Sequence, residues 1–127
     1  MSPGNNPLSR ESCPATREVL NRVGDKWSVL IIALLGEKSK RFNELRREIE
    51  GISQRMLSHT LRGLERDGLV TRTVQASVPP RVDYALTTLG ETLLEPIMAL
   101  AAWAEKNREA IQEARARYDA RQSASKG

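Results

Sequence analysis

A mainly α-helical fold carrying one small β-hairpin is predicted by three observations along the 127 residues. Apolar residues recur at helical spacing through the first half of the chain. A basic helix with complete start and stop signals follows at 53–67. Two short runs containing Val and Thr or Tyr then flank a Ser-Val-Pro-Pro tip. Two short helices joined by a Gly-containing turn, followed by a hairpin, make a winged helix-turn-helix, which sets one helix in the DNA major groove.

Pro14 suits the first turn of a helix that reaches about Val23, with Cys13 as its cap. Asp25 is placed to cap the next helix. There Trp27, Leu30, Ile31, Leu34 and Leu35 form one broad apolar face, and Gly36 is a natural stop. Phe42, Leu45 and Ile49 repeat the spacing in a shorter helix ended by Gly51. For the helix at 53–67, Ser53 is the N-cap, and Ile52 and Leu57 are spaced as a hydrophobic staple. Gly68 suits its left-handed C′ position, with Leu64 and Leu69 spaced for the accompanying contact. A strand is expected at 69–76 and a loop tip at 77–80, because paired prolines cannot sit in a central strand. Val82, Tyr84 and Leu86 alternate along a second strand with one buried face. Thr87 or Thr88 then caps a long last helix, expected at 88–117 with a kink or break at Pro96. The expected organisation is a flexible arm at 1–12, one domain at 13–117 that includes the last helix, and a flexible tail at 118–127.

This length supports one domain with a modest core. Lys and Arg outnumber Asp and Glu by 20 to 16. The excess is local: residues 38 to 83 hold ten Lys or Arg against six Asp or Glu. It therefore falls on the segment expected to face DNA, as an electrostatic footprint would. The polar first dozen residues do not read as a secretory leader, and no apolar run nears the roughly 20 residues needed to cross a bilayer. One cysteine and one histidine supply neither an internal disulfide nor a protein metal site. The expected compartment is the cytoplasm, with no cofactor and no membrane partner.

On a helical wheel Leu57, Leu61 and Leu64 share one stripe, and Arg55, His59, Arg62 and Arg66 lie opposite, with Ser58 at the edge. The N-terminal half of a second helix reaches base edges. Gln54, Arg55, Ser58 and His59 are therefore the expected readers, and Arg62 and Arg66 the expected phosphate holders. Arg and Gln suit reading because their forks match guanine and adenine edges. Arg81, beside the proline tip, is expected to flank or enter the minor groove, and Lys40 and Arg41 to clamp the backbone. A solvated helix face and a solubilising loop charge are the plainer alternatives.

The chain resembles the HxlR-type winged helix-turn-helix transcriptional regulators, relatives of the MarR group. The likeness runs in order over about residues 13 to 105. It rests on Cys13-Pro14, Gly24-Asp25-Lys26-Trp27, Arg41-Phe42-Asn43-Glu44-Leu45, Gly51-Ile52-Ser53, Leu57, Leu61-Arg62-Gly63-Leu64-Glu65, Asp67-Gly68-Leu69-Val70, Pro79-Pro80, Tyr84-Ala85-Leu86-Thr87, Gly90 and Trp103. The resemblance implies a homodimer on an inverted-repeat (pseudo-palindromic) operator, joined through the first and last helices. Leu93, Ile97, Leu100, Trp103, Ala104 and Ile111 supply a compatible apolar surface. Some members resemble redox or electrophile sensors through a cysteine at the position of Cys13. Nearby Arg10 and Arg17 and a helix start both favour thiolate there, and an inert packed thiol is the alternative. With no second cysteine, such a mechanism acts by adduct or between subunits.

The leading expectation is thus a dimeric, sequence-specific regulator on double-stranded DNA, acting as a repressor, with a small-molecule or oxidant inducer left open. A winged-helix interaction module that binds protein or DNA without sequence choice is the alternative. An enzyme is poorly supported: Glu44, Glu48 and Glu65 occupy ordinary helix-surface positions, and no phosphate-cradling Gly loop occurs.

Overall fold

Two glycines with left-handed backbone angles, Gly51 at φ 85° and Gly68 at φ 76°, bracket the helix that dominates the fold. That region is nearly closed to residues with a Cβ, so both turns are written into the sequence by residue type. The computed structural model describes residues 14–126. Cys13 and the expected arm at 1–12 lie outside the described residues. The chain divides into two compact units, one extending to Leu94 and the other beginning at Glu95.

The first unit opens with α1 (Pro14–Gly24) and α2 (Lys26–Leu35). The two-residue strand β1 (Lys40–Arg41) leads into α3 (Phe42–Glu48), and after the Gly51 turn comes α4 (Gln54–Arg66). The wing follows as β2 (Val70–Gln75) and β3 (Arg81–Leu86), and the short α5 (Thr88–Glu91) ends the unit's regular structure. The sheet is antiparallel in the order β1-β3-β2, with Tyr84 of β3 in register with Lys40 on one side and Arg72 on the other. α4 packs against α2 and β2. The unit's core holds Ile31, Ile32, Leu45, Leu57, Leu61 and Leu64, all fully buried.

The Ser53 cap and the Gly68 stop of α4 are as expected. Ser53 Oγ accepts from the Met56 N–H at 3.0 Å. At the far end the Gly68 N–H donates to Glu65 O and the Leu69 N–H to Leu64 O, both at 3.0 Å, the two bonds of a Schellman stop. Asp25 does precede α2, but its carboxylate accepts from Ser28 Oγ at 3.3 Å and from no backbone N–H of the helix. Three further expectations need correction. The buried face of α2 is Ser28, Ile31, Ile32 and Leu35, while Leu30 is exposed. Of the alternating residues of β3 only Tyr84 is buried, Val82 and Leu86 being half-buried. The single long last helix is replaced by α5, then α6 (Leu94–Lys106) and α7 (Arg108–Lys126).

Pro96 therefore lies in the first turn of α6, where no intrahelical partner for its missing N–H is needed. The break falls before it, at Thr92 and Leu93, whose N–H groups close tight i→i−3 bonds to Leu89 O and Gly90 O. Residues 118–126, expected as a tail, continue α7. Among the described residues no helix is long and apolar enough to cross a membrane.

Thr87 ties the wing to α5. Its Oγ1 accepts from the Gly90 N–H at 2.9 Å and donates to Gly68 O at 2.6 Å. Gly90 consequently sits hard against Leu69. A Cβ there would overlap the Leu69 carbonyl oxygen and stand 3.2 Å from Leu86 Cδ2. Gly90→Ala is expected to destabilise the unit by about 1–3 kcal/mol through overpacking, read as a lower denaturant midpoint.

Candidate nucleic-acid interface

Burial divides α4 into two faces. Leu57, Thr60, Leu61 and Leu64 are buried, whereas Gln54, Arg55, His59, Arg62 and Arg66 are exposed and Ser58 is half-buried. Thr60 satisfies its hydroxyl within the helix by donating to Met56 O at 2.8 Å. The expected readers thus occupy one accessible surface at the start of the helix, backed by a leucine stripe that fixes its roll.

The wing and α3, with Arg41 before it, line a groove of about 880 Å³. Arg41, Asn43, Glu44, Arg47, Gln75, Ser77 and Arg81 supply its polar lining. Glu44 caps α3 by accepting from the Arg41 N–H at 3.1 Å. That bond holds its carboxyl below the ordinary 4.5; burial pushes the other way, and Lys38, Lys40 and Arg41 add to the lowering. Arg41 is exposed beside this cap.

Lys40 is a correction. It is 2% exposed, with Nζ 3.1 Å from Glu48 Oε1 and 3.9 Å from Glu37 Oε2. The cause is strand alternation. Lys40 is paired in register with the buried Tyr84, so it faces inward, and Arg41, one residue on, faces outward opposite Asp83. Lys40 therefore joins β1 to α3 and is not available to clamp a phosphate.

Arg81 remains at the groove, held along its own strand by Nε bonds to Asp83 at 3.1 and 3.2 Å. Gln75 Nε2 donates to the same carboxylate at 3.1 Å. Arg66 lies at the far end of α4, in a recess shared with Glu18, Asp25 and Asp67. Two basic residues were not singled out from the sequence. Arg47 lines the wing groove, and Arg72 lines a recess with Ser58, Arg62 and Tyr84. The alternation of Val70 and Arg72 holds the signal for the latter: Val70 is buried, so Arg72 continues the same face toward α4.

Of the expected interface apolar residues, Ile97 is buried within the single chain. Leu100 and Trp103 are 62% and 56% exposed. Ala104 is exposed too, and Leu93 and Ile111 are half-buried. Among the described residues no group of three or more His, Cys, Asp or Glu is placed to hold a metal ion.

A short helix, a glycine turn, a second helix with a bare basic face and a two-stranded wing define a winged helix-turn-helix transcriptional regulator. The HxlR-like helix-turn-helix family model matches residues 22–112, and the chain belongs to that family. It is 48% identical over 100 residues to the uncharacterized HTH-type transcriptional regulator YtfH of Escherichia coli, covering 79% of each chain. Among solved structures, the transcriptional regulator ytfH of Salmonella typhimurium superposes with a TM-score of 0.76 at 41% identity, over 87% of this chain and 96% of that one. The redox regulator HypR in its reduced form gives 0.73 at 39% identity, over 78% and 98%.

Proposed function

We propose that the chain is a sequence-specific repressor that binds an inverted-repeat operator as a homodimer and answers oxidants or electrophiles through Cys13. The observation that carries this reading is the division of α4: a buried leucine stripe behind an exposed face of Gln54, Arg55, Ser58 and His59. Those four read base edges. Arg62 and Arg66 hold phosphates along the same helix, and Arg41 and Arg81 hold the duplex at the wing groove. Dimerisation is supported by exposed apolar side chains that a monomer has no use for: Met98, Leu100 and Trp103 on α6, and Val19 and Leu20 on α1. The likeness to a redox regulator supports a role for the single thiol. A second-copy contact would set the two recognition helices on half-sites about one turn, or a multiple of it, apart.

Fluorescence anisotropy on the chain's own upstream DNA, with a scrambled duplex as competitor and before and after oxidant, tests the reading. Preference for the upstream duplex, lost on oxidation of the wild type and retained in Cys13→Ser, is the expected result. Equal, steeply salt-dependent binding to both duplexes would favour the non-specific interaction module. An undiminished oxidant response in Cys13→Ser would remove the thiol from the mechanism.

A further inference from the structure

Gly63 is the residue of α4 that neither core packing nor DNA reading explains. Glycine inside a helix disfavours the helix relative to alanine, so its place needs a cause. The cause lies on α1. A Cβ at position 63 would overlap the Arg22 guanidinium, standing 2.6 Å from Cζ and 2.9 Å from Nη2. The guanidinium thus rests on bare helix backbone, and a side chain at position 63 would oblige it to shift from that place. From that seat Arg22 Nε donates to Asp67 Oδ2 at 2.7 Å, joining residues 45 positions apart.

Asp67 is the C-cap of α4. A carboxylate there meets the negative end of the helix dipole, and the Arg22 cation offsets it. An ordinary surface ion pair contributes little, because two long side chains must be held still. Here the two side chains are only 28% and 35% exposed, and one of them lies against the bare backbone at Gly63. Glu18, Asn21, Asp25 and Arg66 line the same recess, so the clasp lies within a mixed-charge contact between α1 and the end of α4.

We propose that Arg22 is a positioning residue of the DNA interface. Clasped on Gly63 and Asp67, it ties α1 to α4 and fixes the angle at which Gln54, Arg55, Ser58 and His59 are presented. A displacement of α1 is thereby felt at the reading face. The inference rests on the DNA-reading function proposed above.

The test compares Arg22→Ala, Asp67→Ala, their double variant, Gly63→Ala and Arg22→Lys on upstream and scrambled duplexes. Each is measured across salt, at a temperature where circular dichroism shows it folded. Arg22→Ala, Asp67→Ala and Gly63→Ala are each expected to lower the preference for upstream DNA about tenfold, within the usual range of coupling between sites. Binding to the scrambled duplex and the salt slope should not change. The double variant should lose no more than either single, because one contact is removed in all three. Arg22→Lys should restore part of the preference, keeping the charge without the planar fork.

Equal losses on both duplexes with a salt slope smaller by about one would instead make Arg22 a phosphate contact and overturn the proposal. Additive losses in the double variant, or a lower melting temperature with unchanged preference, would overturn it too. A wild type with no preference between duplexes would defeat the operator reading, and the clasp is then judged on the protein alone. Arg22→Ala and Asp67→Ala must speed amide exchange at 64–69 by the same factor; unchanged exchange sinks it.

Discussion

Leu61→Ala is expected to cost the fold about 2–5 kcal/mol, while Arg62→Ala, one residue on, stays within about 0.5 kcal/mol of wild type. The contrast follows from burial alone. Leu61 is 1% exposed, between Leu57 and Leu64 on the face of α4 that packs against α2 and β2. Removing its isobutyl group loses the transfer free energy of those carbons and leaves a cavity that neighbouring side chains fill only in part. Arg62 points to solvent and has no such environment to lose. Small domains are stable by only about 5–15 kcal/mol, so the first change consumes a large fraction of the total. Urea unfolding should show it as a lower midpoint at unchanged slope. A slope that changes with the midpoint would mean that the variant alters the compactness of a state, not the packing of one residue.

The parts of the molecule legible in sequence are those fixed by neighbours in the chain. Ser53, Gly68 and the leucine stripe of α4 each act over one to two helical turns, and the structure places all of them as expected. Parts set by distant partners were not legible. β1 is two residues long and exists only because β3 lies beside it, so Lys40 and Arg41 looked alike until register sent one inward. In α2 apolar residues surround the helix, and a wheel cannot choose a face; packing against α4 and β3 selects Ile32 over Leu30. Pro96 signalled the break in the last helix but not its place, which is set by the Thr92 and Leu93 turn bonds. The contact of Arg22 with Gly63 spans α1 to α4, and its single local trace is a glycine with no turn to make.

Arg55→Ala is expected to weaken binding to the operator by about 1–3 kcal/mol while leaving scrambled DNA almost unaffected, and Arg66→Ala to weaken both alike. Both residues are exposed on the same helix, so exposure does not separate them. Position does. Arg55 is the second residue of α4, on the half proposed to enter the groove, and a guanidinium there can place two N–H donors on the O6 and N7 of one guanine. A base without that acceptor pair leaves the donors unmatched, which is why the loss falls on specific binding. Arg66 closes the helix beside Glu18, Asp25 and Asp67, far from the end proposed to read bases. A phosphate contact carries no sequence information, and its removal should lower the salt slope by about one on either duplex. The two variants therefore differ in kind as well as size. Parallel titrations at two salt concentrations distinguish them, and equal losses for both would show that α4 is not divided into a reading end and a holding end.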